Sequence, residues 1–439
     1  MKLQLALVAL VAVGSTAHAQ QQPPIRQLGS VFATAQETPA IVGHMRALPG
    51  GRVLVNDPIG RRVVMLDSAL RVVKVVADST SGTANAYGAR PGGLIAFRGD
   101  STLFVDPASL SMLVIDPEGR IARVMSVPRP EEAAALTSIS FGSPGFDQQG
   151  WIVYRAMPQL RRVMQSAAGS GERSPAMPEM PDTAAIVRLD LATRAIDTVA
   201  WVKIPRVSMN VTRGDDGTFT MSQVINPLPV VDEWVVTSDG VVTLVRGRDY
   251  RVERVGTDGQ VASSSRLPFD WQRLTDEDRV ALIDSVKAQR ARMEASGDGA
   301  PRAGGTVVFG GPQGSSPPPG GTVNITMRAG PGGAPTSVNS GNMRTNISFV
   351  APTDLPDYKP PFLAGAARAD ADGNVWVRTI PTRAIPGGAI YDVISPKGEL
   401  VERVQVPAGR EIRGFGPGGL VYLVGREENR TVLEVARAR

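Results

Sequence analysis

One unit recurs along this chain and limits what it can fold into: a polar turn closing on glycine, followed by a short run of strand-forming residues. The copies are "LPGGRVLVND" (Leu48 to Asp57), "FRGDSTLFVDP" (Phe97 to Pro107), "FDQQGWIVYR" (Phe146 to Arg155), "TSDGVVTLVR" (Thr237 to Arg246), "DADGNVWVRT" (Asp370 to Thr379) and "FGPGGLVYLV" (Phe415 to Val424). Glycine suits the turn because it takes positive φ without a Cβ clash, and the V-L-V, V-W-V and V-Y-L runs suit a pleated, buried strand. A second hairpin follows most copies, as in "MLVIDPEGRIARVM" and "YDVISPKGELVERVQVP". Two hairpins make a four-stranded antiparallel sheet, and six such sheets at a spacing near fifty residues describe an all-β, six-bladed β-propeller.

The last unit is one strand short. After "GLVYLV" only "TVLEVAR" (Thr431 to Arg437) follows, so the missing strand is expected from "RQLGSVFATA" (Arg26 to Ala35). Pairing the two ends of the chain in this way removes two open sheet edges.

With "LPGGRVLVNDPIGRRVVMLD", "GDSTLFVDPASLSMLVIDPEG" and "DADGNVWVR" in view, the sequence resembles the six-bladed propellers of secreted bacterial proteins. These are the NHL-repeat, TolB-like and, more distantly, gluconolactonase-like (SMP-30) propellers. The resemblance covers most of the chain and speaks for the fold far more than for an activity.

Lys2, the apolar run "LQLALVALVAVGSTA" and the small-residue site "AHA" read as a secretory signal over residues 1–19, so an exported protein, periplasmic or extracellular, is expected. Nothing later is apolar enough to span a bilayer. Cysteine is absent, which excludes disulfides, thiolate nucleophiles and thiolate metal sites. The only histidines are His18, inside the signal, and His44 in "IVGHMRAL", expected as a hydrogen-bonded structural residue on the innermost strand of blade one. Basic residues are scattered among acidic ones and not interleaved with aromatics, so no nucleic-acid partner is expected, and a monomer is.

Three inserts interrupt the repeat: Ala156 to Asp182, Pro205 to Val230 with room for a hairpin around "GDDG", and a long one over 269–356. The propeller is therefore divided into residues 22–268 (closing strand and blades one to four) and 357–439 (blades five and six). The long insert opens with a helix over about 275–295, for which Thr275 and Asp278 form a variant capping box and Val280, Leu282, Ile283 and Val286 the apolar side. Its Gly/Pro-rich remainder is expected to be disordered. All three inserts leave the propeller from one face, and ligands are expected there, because loops on a rigid scaffold carry function.

On that face the second strands of the blades end at Asn56, Asp106, Arg155, Val245, Arg378 and Val424. Asn56, Asp106, Arg155 and Arg378 are candidate ligand contacts, the two arginines receiving an anionic group through their planar forks. The alternative for Asn56 and Asp106 is that they cap the turns that follow them. The gluconolactonase resemblance implies a calcium ion held in the channel by carboxylate and amide oxygens, to which Asn56 and Asp106 could contribute; Arg155 and Arg378 at comparable positions would repel it. "DADGNVWVRTI" (Asp370 to Ile380) looks like a calcium loop but has its glycine two residues too early and Pro381 where the bidentate glutamate belongs, so it reads as a turn. No G-x-S-x-G elbow and no phosphate loop is present. These readings describe a binding or interaction module without cofactor, for an unidentified protein, peptide or glycan. A metal-dependent lactonase of the gluconolactonase type is the competing class.

Overall fold

The computed structural model describes residues 21–438 apart from 38, 158–180, 207, 214–218, 296–324, 328–335, 339–342, 384 and 429. Six sheets radiate from a central axis, as the repeat demands. Blade one comprises Met45–Ala47, Val53–Asp57, Arg62–Leu66 and Val72–Ala77; blade two comprises Gly93–Ala96, Thr102–Asp106, Ser111–Ile115 and Ile121–Ser126. Blade three runs Gly145–Phe146, Ile152–Arg155, Thr183–Leu189 and Ile196–Lys203, and blade four Glu233–Val236, Val242–Arg246, Arg251–Val255 and Val261–Ser263. Blade five is built from Ala367–Ala369, Val375–Thr379, Ile390–Ile394 and Leu400–Gln405, and blade six from Arg410–Gly416, Leu420–Glu427 and Arg430–Arg437. The first strand of each blade is innermost, and these inner strands neighbour one another around the ring.

The start of the chain closes the ring as expected, and it does so twice. Val31–Thr34 pairs antiparallel with Arg430–Arg437 as the outer strand of blade six. Just before it, Ile25–Gln27 pairs parallel with Leu400–Gln405, a fifth strand on blade five. One short segment thus seals the outer edges of both blades flanking the closure.

Alternation along each second strand sends successive side chains to opposite junctions. In blade one Val53 and Val55 pack toward blade six while Leu54 packs toward blade two. In blade five Val375 and Val377 face blade four and Trp376 faces blade six. Six hydrophobic clusters result, one at each junction. Trp376 and Tyr422 are buried in them, as the strand pattern predicts; Trp151 is half-buried beneath the Arg188 guanidinium. Buried tyrosines stitch the blades through their hydroxyls: Tyr250 donates to Asp392 at 2.8 Å, and Tyr391 accepts from the Ile412 amide at 3.2 Å.

A seventh apolar cluster lies under the inserts. Helix α1 (Asp276–Ala295) is opened by the reciprocal pair foreseen in the sequence: the Asp278 amide donates to Thr275 Oγ1, and the Thr275 amide to Asp278 Oδ2. Ile283 is buried against Leu228, Leu274 and Leu355, whereas Val280 is exposed, so the helix seats a narrower apolar stripe than expected. The second insert forms the anticipated hairpin, Ser208–Arg213 against Phe219–Ile225. Met343–Phe349 of the long insert joins it in parallel, so these two inserts share one sheet. Most of the first insert and the Gly/Pro-rich segment expected to be disordered lie outside the described residues.

Candidate functional site

The four rim residues picked from the repeat do not converge. Asn56 is fully buried; its Nδ2 donates to the Gly92 carbonyl at 2.7 Å and its Oδ1 accepts from Tyr87 Oη at 3.0 Å, whose oxygen accepts from the Gly92 amide. With both polar ends engaged, it ties blade one to the connection entering blade two. Asp106 accepts from the amides of Gly88 and Ala108 and from Ser109 Oγ, the capping alternative. Arg378 lies on the surface in an ion pair with Glu411 at 2.5 Å, both side chains nearly half exposed.

Arg155 is different. Its guanidinium stacks 4.4 Å above the ring of Phe141, and burial pushes its pKa down to about 10, partly opposed by Glu233. Glu233, at the start of the blade-four inner strand, accepts from the amides of Gly365 at 2.7 Å and Ala367 at 3.3 Å. Burial raises its pKa, while those amides, Arg368 and Arg155 act in the opposite sense.

The principal cavity is the central channel, about 890 Å³. Turns between first and second strands supply its lining at one end, including Gly50, Asp100, Gln148, Ser238, Ala371 and Pro417, so it reaches the face opposite the inserts. None of the described insert residues lines it. Inward, it is walled by residues of the inner strands, and three of these are arginines from adjacent blades: Arg368 of blade five, Arg413 of blade six and Arg46 of blade one.

Arg368 is anchored at one nitrogen, which donates to the carbonyls of Gly365 and Ala367 at 3.0 and 2.8 Å. Arg413 and Arg46 each have a buried Nε without a hydrogen-bond partner. Burial lowers the pKa of Arg413, Arg368 adds to that, and Glu411 and Tyr391 resist it. For Arg46 the lowering comes from burial and the opposing pull from Asp100. Partly dried guanidinium groups that line one cavity favour an anion beside them.

Beside them is His44, immediately before the blade-one inner strand. It keeps some surface open to the cavity, yet both ring nitrogens are buried without a partner. This differs from the hydrogen-bonded histidine expected: the backbone groups around it are spent on the strand pair, the Asn56 amide donating to the His44 carbonyl at 2.9 Å. Burial, then Arg413 and Arg368, push the ring pKa down to about 4, so it is neutral at pH 7.

A divalent cation of the kind the lactonase resemblance implies does not fit this donor set. Of the three lining carboxylates, Asp147 and Asp370 are occupied by turn groups and Asp100 acts on Arg46: Asp147 Oδ1 takes the amides of Gln149 and Trp151, and Asp370 those of Asp372 and Asn374 with Trp376 Nε1. Among the described residues no three His, Asp or Glu side chains gather as a metal ion would require. The calcium-like stretch at Asp370 is a hairpin turn whose carboxylate serves its own backbone and the neighbouring tryptophan.

The class defined by these observations is a six-bladed β-propeller whose central channel is lined by arginines of three inner strands. No known protein-family profile matches the chain, and no curated protein matches it in sequence. Similar solved structures include the virginiamycin B lyase of Staphylococcus aureus, 10% identical, covering 92% of this chain and 98% of that one with a TM-score of 0.37. A gluconolactonase of Xanthomonas campestris is 10% identical over 95% and 99% of the two chains, TM-score 0.37. A member of the DUF4221 family from Bacteroides vulgatus is 10% identical over 95% and 100%, TM-score 0.45. Similarity at this level assigns no activity to this chain.

Sequence reasoning looked for the site at the far ends of the second strands and missed the inner strands. A signal was available one strand earlier: Arg46 and Arg368 each stand five residues before the turn glycines Gly51 and Gly373. Arg413 is set out of that register by the bulge between Ile412 and Gly414.

Proposed function

We propose that this protein is an exported binding module whose central channel takes an anionic group, carboxylate or sulfate, of an extracytoplasmic ligand. The observation that carries the reading is the meeting of Arg46, Arg368 and Arg413 from adjacent inner strands at one 890 Å³ cavity, two of them with a buried, unpartnered Nε. Guanidinium groups in this condition cost stability unless something occupies the space between them, which is a hallmark of a binding site. The leader-like residues 1–19 support export. A metal-dependent lactonase would need a cation where these arginines stand.

Isothermal titration of the protein with citrate and with sulfate at pH 7.5 and low ionic strength tests the reading. Saturable binding of one equivalent is expected, weakened on the order of a hundredfold by the double change Arg368→Ala and Arg413→Ala, because each charge-assisted contact contributes about 1.5 to 3 kcal/mol. Binding that the double variant retains would place the anion elsewhere and overturn the proposal.

A further inference from the structure

His44 has no part in the fold's own hydrogen bonding, and resting on the channel reading above, it acquires a specific role. We propose that the channel captures an anion together with a proton from solvent: the anion seats between Arg368 and Arg413, and His44 beside them takes up the proton and donates its N–H to the anion. The ring N–H bond forms as the bond holding that proton in hydronium or a buffer acid breaks, leaving water or the buffer base in solution, and no other bond changes.

Three features converge on this. His44 lines the same cavity as the two arginines. Both of its ring nitrogens are buried and unpartnered, so a ligand oxygen arriving there meets a ring with no competing contact. Moreover, the fields of Arg413 and Arg368 hold the ring neutral, second only to burial. An anion placed between those guanidinium groups cancels their fields at the ring and adds an attraction of its own. Both changes favour imidazolium over imidazole.

Besides Arg368 and Arg413, the charged groups that line the cavity with His44 are Arg46, Arg98, Asp100, Asp147 and Asp370. Arg46 lies on the strand that His44 enters, with Asp100 of blade two acting on it. Arg413 of blade six is acted on by Glu411 and Tyr391, and Arg368 of blade five attracts Glu233 of blade four. Burial raises the pKa of Glu233, so its titration has to be separated from that of His44. Glu233 stands at the same end of the inner strands as His44 and shares the influence of Arg368 with it, so mutation is what tells the two titrations apart.

Sulfate is the probe, because it stays fully ionised across the useful pH range. Its affinity for the whole protein, measured by calorimetry at constant ionic strength, should tighten roughly thirtyfold from pH 8 to pH 5 if the bound-state pKa of His44 returns to the ordinary value for histidine. His44→Gln, which hydrogen-bonds but does not titrate, should bind at pH 8 much as the parent does and lose most of that pH dependence; Glu233→Gln should keep it. With only two histidines in the sequence, the His44 ring can be followed directly by NMR, and its titration midpoint should rise on adding sulfate. A pH-independent sulfate affinity, or a slope that survives in His44→Gln, overturns the inference and leaves the anion-binding channel standing. Absence of sulfate binding even at pH 5 overturns both.

Discussion

The inner strand of blade six carries two arginines three residues apart whose surroundings are opposite. Arg410, at the strand's start, is enclosed by Glu434 at 2.6 and 2.9 Å and by Glu427, and these partners raise its pKa. Arg413, further in, has an Nε without a partner and a pKa lowered by burial and by Arg368. Blade six supplies the two carboxylates that satisfy the first and none that satisfies the second. A propeller of this kind can neutralise a buried arginine where stability is the only demand, so a channel arginine left without such help points to a demand of another sort.

The contrast can be broken most directly at Glu434. Its side chain and that of Arg410 are only 12% and 10% exposed, so Glu434→Ala should lower unfolding free energy by about 3 kcal/mol in urea titrations, the lower end of the cost of breaking a buried pair because the exposed Glu427 still faces Arg410. An acid titration of stability comes next. His44 has a folded-state pKa of about 4, below the 6.5 of the unfolded chain, so the unfolded state binds the proton more readily. Its contribution is complete above pH 6.5 and is lost as pH falls toward 4. His44→Gln should therefore lose about 2 to 3 kcal/mol less than the parent between those limits in the absence of anions. Arg413→Met should do the reverse of Glu434→Ala, leaving stability unchanged or raising it by about 1 kcal/mol, since it removes a charge that has no buried partner. The smallest effect belongs to the surface: Arg378→Ala should alter stability by no more than about 0.5 kcal/mol, because its ion pair with Glu411 stands largely in water. A loss of several kcal/mol in Arg413→Met would mean that the channel arginine is structurally satisfied and would erase the comparison.

How much of this was legible in the sequence differs between scaffold and site for a physical reason. The hairpin turns are local: glycine at positive φ and alternating apolar residues lie next to each other in the chain, and Gly150, Gly240 and Gly373 all adopt the expected left-handed conformation. The helix start was equally local, because Thr275 and Asp278 complete it between themselves. Even the closure could be read, as a strand missing at one end and available at the other. The channel was legible only as a shared offset of Arg46 and Arg368 from their turn glycines, because the two are more than three hundred residues apart and line one cavity only when the ring is whole. Insert length also misled. The inserts extend one face, while the cavity opens among short, plain turns on the other, and Asn56 and Asp106, prominent by position, serve the backbone.

The double closure by the chain's first strands has a consequence for how the protein comes to be folded. Val31 pairs with Ala436, and Ile25 with Arg403, so the one contact cannot form until the chain has been made as far as Ala436, nor the other until it has reached Arg403. Blades one to four are made of neighbouring segments and can assemble as they emerge, but the channel has no complete wall until the last strand captures the first. Contacts of such long sequence separation are slow to form. Ring closure should therefore be the late step of folding, and the arginines of blades five, six and one should come within reach of a common ligand only when it is done.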